Sequence, residues 1–111
     1  MKLQEHQAAF LLDMCKLIQH ATDQGFVVTG GELWRTPEQQ KVYVQTGRSK
    51  TLKSKHLDRL AIDLNIFRDG KLCSVYEIEP LGDYWESLSP MNRWGGRFSK
   101  LKDGPHFERN I

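Results

Sequence analysis

Eight residues in the middle of the chain, Leu60-Ala-Ile-Asp-Leu-Asn-Ile-Phe67, alternate strictly enough to fix a β-strand and both of its faces. Leu60, Ile62, Leu64 and Ile66 form a core face, and Ala61, Asp63, Asn65 and Phe67 a mixed one. Arg68-Asp69-Gly70-Lys71 follows as a hairpin turn, with Asp-Gly at the positions that take positive φ. Leu72 to Ile78 then reads as the returning strand, and Pro80 as the opening of a helix that buries Leu81, Tyr84, Trp85 and Leu88.

Upstream, Phe10, Met14, Leu17, Ile18 and Ala21 recur at helical spacing, so an amphipathic helix ends near Gly25. A short strand, Phe26-Val-Val-Thr29, precedes Gly30-Gly31. Thr36-Pro37 starts a second helix, with Thr as its cap and Pro in its first turn, running to about Gln45 and stopping at Gly47. Residues 46–57 are polar and basic and form a loop; Trp94 to Phe98 and His106 to Glu108 are short strands. The order of elements predicts one α+β domain with a small antiparallel sheet, and 111 residues leave little room for a second module.

The N-terminus, Met-Lys-Leu-Gln-Glu-His, lacks the apolar run of a signal peptide, so the expectation is cytoplasmic synthesis, with export needing outside help. No segment approaches the ~20 apolar residues of a membrane span. A net charge of +2 and no reading element argue against a nucleic-acid module. The cations Arg48, Lys50, Lys53, Lys55 and Arg59 bunch together, as a solvated loop or as a rim suited to an anionic substrate. Cys15 and Cys73 have no metal-binding spacing and read as buried, reduced thiols, whereas His6 and His20 read as exposed residues of the first helix.

The remaining two histidines carry the chemistry. His56 and His106, with Asp63, make a complete catalytic zinc set with its fourth position open, a donor set that favours zinc over magnesium or calcium. His56 and Asp63 lie seven residues apart, up to ~23 Å in extended chain, whereas two ligands of one ion sit within ~4 Å. The chain must therefore fold back between Leu57 and Leu60. Pro105 stiffens the bend between Asp103 and His106, so that His106 can bind an ion while Asp103 stands one water away as a general base. Glu108 shares a face with His106 in a regular strand and reads as its hydrogen-bond or ion-pair partner. Meeting in space, these segments would make a metallohydrolase; taken singly, each residue has a bland structural alternative.

Ser54-x-His56-x-x-x-x-Ala61-x-Asp63, Trp94-Gly-Gly-Arg-Phe98 and Asp103-x-x-His106-Phe-Glu108 resemble the peptidoglycan-cleaving zinc peptidases of the M15 family. Trp34-Arg35-Thr36-Pro37-Glu38-Gln39 resembles that family's Tyr-Arg-Thr-x-x-x-Gln segment. The resemblance implies the hedgehog/D-Ala-D-Ala peptidase fold, Zn2+ on His56, Asp63 and His106, Asp103 as catalytic base and Arg35 as oxyanion stabiliser. It puts Ser54, Gln39 and Trp94 at the substrate. Trp94-Gly95-Gly96 has a plainer alternative as a core tryptophan beside a tight turn. The family carries Gly where this chain has Arg59, so the turn there is either of another type or strained.

The implied activity is hydrolysis of a peptide bond in the peptidoglycan stem peptide by a monomeric catalytic domain, residues 1–111, without a wall-binding module. Both an L-Ala-D-Glu endopeptidase of the phage endolysin type, released through a holin lesion, and a D-Ala-D-Ala carboxypeptidase fit. The alternative is a non-catalytic, zinc-binding or wall-binding member of the same fold, as in the hedgehog signalling domain.

Overall fold

A computed structural model describes residues 1–99 and 101–111. Three helices, α1 (Leu3–Asp23), α2 (Pro37–Gln45) and α3 (Val75–Leu88), accompany five short strands. The strands are β1 (Val27–Gly30), β2 (Ala61–Arg68), β3 (Lys71–Leu72), β4 (Asn92–Trp94) and β5 (His106–Arg109). All pairings are antiparallel, in the order β1-β2-β5-β4, with β3 paired to the end of β2. This is the α+β architecture the sequence predicts, and no helix among the described residues is long and apolar enough to cross a membrane.

The core lies between the sheet and the α1–α3 layer. Phe10, Met14, Leu17 and Ala21 of α1 and Ile78, Leu81 and Trp85 of α3 pack on Leu64, Ile66, Trp94 and Phe107. Trp85 is the hub: its ring meets Phe10 and Phe107 edge-on, with centroids 5.6 and 6.0 Å away. Its Nε1–H is shared between the carbonyls of Arg93 and Glu108, which ties α3 to β4 and β5.

Several expectations are corrected. The strand after the hairpin is only two residues long, and α3 begins at Val75 rather than at Pro80. Ser74 and Glu77 form a reciprocal capping box that opens the helix early, and Pro80 sits inside it, costing one hydrogen bond to the Tyr76 carbonyl. The strand expected from Trp94 to Phe98 ends at Trp94, where Gly95–Arg97 turn into a single 3-10 turn. Cys15 is exposed, and only Cys73 is buried. Ile18 lies at the rim of the core. His6 is buried and accepts a 3.1 Å hydrogen bond from Arg109 Nε, while His20 stacks on Tyr84.

The required reversal before β2 is present. Lys55–Asp58 form a 3-10 turn, capped by Ser54, whose hydroxyl accepts from the His56 amide. Arg59 ends it in the left-handed region at φ 55°, with its guanidinium 5.0 Å from the centre of the Trp34 ring. A left-handed Arg costs ~1 kcal/mol, and an exposed cation–π contact returns ~0.5 kcal/mol. Arg59→Gly should therefore raise stability by ~0.5 kcal/mol; a denaturation midpoint below that of the parent protein would contradict this.

Candidate metal centre

The centre is assembled where β2 and β5 pair, because their register sets Asp63 opposite His106. β1 continues past its end to hold Asp63 from the other side: the Gly31 amide donates to the Asp63 carbonyl and the Asp63 amide to the Glu32 carbonyl, both at 2.8 Å. Gly31 is needed for this approach, since a Cβ there would lie 2.7 Å from the Asp63 carbonyl oxygen. The capped turn delivers His56 from above.

Each histidine has one ring nitrogen committed and the other aimed inward. His56 is 1% exposed, and its Nδ1 lies 2.9 Å from the Leu33 carbonyl, which fixes the Nδ1–H tautomer and leaves the Nε2 lone pair free. His106 is reversed: Nε2 bonds Glu108 Oε1 at 2.7 Å, and Nδ1 faces inward. Glu108 is itself clamped by Arg93, whose Nε and Nη2 donate to Oε2 at 3.1 and 2.7 Å. Such a chain from arginine through carboxylate to imidazole orients the ring and raises its basicity.

Asp63 Oδ1 stands 3.4 Å from His56 Nε2 and 3.5 Å from His106 Nδ1, and it is buried without a hydrogen-bond partner. A tetrahedral ion with bonds of ~2.0–2.1 Å sets its donors ~3.4 Å apart, and one inward atom from each of His56, Asp63 and His106 lies within 4.8 Å of the others. The donor set and its spacing fit a zinc ion. Burial opposes ionisation of Asp63, but its contacts with His106 and His56 outweigh it and hold the carboxyl far below its ordinary range. Burial also works against a charged His106, yet Asp63 and Glu108 outweigh it and raise that ring to about 9.

Asp103 lies beside this cluster, at the start of a turn fixed at several points. Its amide donates to the Gly95 carbonyl at 2.9 Å, and its carbonyl accepts from the His106 amide at 3.1 Å. Burial first, and then the charge of Asp63, push its carboxyl above the ordinary value. Trp94 is 1% exposed and donates from Nε1 to the Gly104 carbonyl at 2.8 Å. It braces the turn from the core at the edge of the cleft, as the plainer alternative, a core tryptophan beside a tight turn, would have it. The adjoining glycines follow suit: Gly95 lets the backbone abut Asp103, and Gly96 lies against the Trp94 ring.

Arg35 lines the same cleft, a cavity of about 830 Å³ that also takes in Ser54, His56, Asp63, Asp103 and His106. Its Nε and Nη2 bind Glu32, and its Nη1 donates to Gln40 Oε1 at 2.7 Å and to Ser54 Oγ at 3.3 Å. One Nη2 hydrogen is left without a partner among the described residues. The buried glutamine beside Arg35 is Gln40 and not Gln39; three residues between Thr36 and the glutamine count to 40, and the backbone N–H of Gln39 donates to the Thr36 cap. Sequence reasoning missed Glu32, Gln40, Tyr43 and Arg93, which hold Arg35 and Glu108 in place. Only the position of Gln40, one turn inside a well-marked helix start, carried a signal for any of them.

A family model described as D-alanyl-D-alanine carboxypeptidase matches residues 47–109. The L-alanyl-D-glutamate peptidase of Listeria phage A118 is 31% identical over 98 residues, 86% of this chain and 34% of that protein. The chain thus spans about a third of the length of that relative. The crystal structure of the Serratia marcescens L-Ala D-Glu endopeptidase ChiX superposes with a TM-score of 0.71 over 99% of this chain and 87% of that one. At 24% identity, this is a likeness of fold. With the family model covering more than half of its residues, the chain belongs to the M15 peptidases of the D-alanyl-D-alanine carboxypeptidase type.

Proposed function

We propose that this chain is a zinc peptidase that hydrolyses a peptide bond in the stem peptide of bacterial peptidoglycan. The observation that carries the reading is the convergence of three donor atoms: Asp63 Oδ1, buried and without a hydrogen bond, lies 3.4 Å from His56 Nε2 and 3.5 Å from His106 Nδ1. In the metal-free protein the charged His106 ring balances that carboxylate, and a bound cation would take the place of its proton. His56, Asp63 and His106 would hold the ion. Zinc bound there supplies a Lewis acid and lowers the pKa of water to about 7.

The other residues divide the remaining work. Asp103 takes the proton of the attacking water and returns it to the amine as the bond breaks; its raised pKa suits a base that must give the proton back. Arg35 offers its one free Nη2 hydrogen to the oxyanion, and Glu32, Gln40 and Ser54 fix its direction. Glu108 and Arg93 hold His106. Both the phage relative and the Serratia structure carry L-Ala-D-Glu specificity in their names, which favours that bond over D-Ala-D-Ala.

Mass spectrometry of fragments released from purified peptidoglycan tests the reading. New amino termini on D-Glu, abolished by a chelator and restored by zinc, are expected. A folded protein that holds one zinc and releases nothing from any wall substrate would instead mark a non-catalytic member.

Zinc binding carries its own pH signature. The ring of His106 must lose its proton to bind an ion, so zinc affinity should rise roughly tenfold per pH unit up to about 9. The metal-free protein runs the other way. Charged His106 stabilises it fully below 6.5, and that contribution disappears as the pH rises through about 9. Calorimetric titration in buffers of different ionisation enthalpy measures the protons released; pH-independent affinity would contradict the assignment.

A further inference from the structure

Four arginines line the cleft, and three of them are neutralised by carboxylates. Arg35 binds Glu32, Arg93 binds Glu108 at 2.7 Å, and Arg97 bridges Asp83 and Glu86. Arg48 has no carboxylate within 4.0 Å among the described residues, yet its guanidinium does not hang loose. Gly47, at φ 80°, turns the chain back at the end of α2, and the Arg48 amide donates to the Tyr43 carbonyl at 2.8 Å. The guanidinium then lies 4.5 Å from the centre of the Tyr43 ring. The same ring carries Arg35 at 4.6 Å, and its hydroxyl donates to Glu32 at 3.2 Å. One aromatic ring therefore sets Arg48 in register with the arginine that faces the reaction.

The wall around Arg48 offers it no acid of its own. Residues 48–55 contain Arg48, Lys50, Lys53 and Lys55 and neither Asp nor Glu. A planar guanidinium, held over a ring and open to a cleft, is matched in shape and charge to a carboxylate, with which it can form two parallel hydrogen bonds. The lysines add positive potential without that geometry.

We propose that Arg48 is a specificity-determining residue that binds a carboxylate of the substrate. For the substrate, this rests on the peptidase reading above. Two sources share the chemistry: the carboxyl that a glutamyl residue keeps free beside the scissile bond, and the C-terminal carboxylate of a peptide ending in D-Ala-D-Ala.

The test uses two matched pairs, a stem peptide with L-Ala-D-Glu against its counterpart with the free α-carboxyl amidated (D-isoglutamine), and a D-Ala-D-Ala peptide against its C-terminal amide. The parent protein should prefer the acid in one pair. Arg48→Gln should lower kcat/KM for that acid by about 10- to 100-fold, mainly through KM, and leave the amide within about twofold. Arg48→Lys should keep part of the preference. The pair that responds identifies the source. An acid-over-amide ratio unchanged by Arg48→Gln, or an equal loss on acid and amide, would overturn the proposal. Calorimetric binding of the same peptides to zinc-loaded Asp103→Asn protein separates the two readings. An Arg48-dependent preference in binding, without turnover by the parent protein, would overturn the peptidase reading and leave the carboxylate site standing.

Discussion

Asp103→Asn should lower kcat on wall peptides by ~10²–10⁴-fold while leaving one zinc per chain. The substitution is isosteric, and the turn that carries the side chain is held by backbone bonds to Gly95 and His106 that an amide leaves intact. The nearby donors on His56, Asp63 and His106 are unchanged, so metal content should be too. What is lost is a group able to accept and return a proton. Steady-state kinetics beside metal analysis of the same sample checks both halves. Turnover within about tenfold of the parent would remove Asp103 from the role of base.

A comparable loss should come from a residue with no functional group. Gly95→Ala would set a Cβ 2.3 Å from the Asp103 carbonyl oxygen and 2.8 Å from His106 Cβ. Neither neighbour is the far end of a flexible side chain, so relief requires moving the backbone that carries both the proposed base and a proposed ligand. Overpacking of this kind costs ~1–3 kcal/mol or more, and the upper end is expected here. Stability should fall by ~3 kcal/mol, with zinc affinity falling as well. Gly30→Ala is the control, because nothing lies within 4 Å of a Cβ there; its effect should stay within ~0.5 kcal/mol. Equal effects at the two positions would show that Gly95 has no special packing role.

The features fixed by local chemistry were legible in the sequence. Alternation identified β2 and placed Asp63 off the core face, and Asp69-Gly70 made the hairpin, with both residues at positive φ. Thr36 and Pro37 started α2 as expected. The distance argument required the reversal that the Lys55–Asp58 turn and left-handed Arg59 provide. Where the sequence misled, two local signals competed. The Asp69-Gly70 turn argued for a returning strand from Leu72 to Ile78, and Pro80 for a later helix start; the Ser74–Glu77 capping box, together with burial of Ile78 and Trp85 against α1 and the sheet, prevailed.

The supports of the site were not legible, because they are either tertiary contacts or, like Glu32–Arg35, local pairs in a segment without the regular structure that would set a spacing. Glu32 meets Tyr43 only once α2 has docked beside the extension of β1, and Arg93 meets Glu108 only across the β4–β5 pair. Trp94 illustrates the same limit. Its motif allowed either a core or a cleft position, and only the space left by Gly82 and Gly96, brought together by the fold, draws the ring into the core. His6 and Arg109 find each other from opposite ends of the chain, a pairing that no periodicity announces.

The most direct measurement is a zinc titration of the metal-free protein and of Asp63→Ala at neutral pH. The parent should bind one zinc per chain with release of about one proton, from His106, and Asp63→Ala should bind at least ~100-fold more weakly. Zinc that binds Asp63→Ala as tightly as the parent, or fails to bind the parent at all, would contradict a metal centre built on His56, Asp63 and His106.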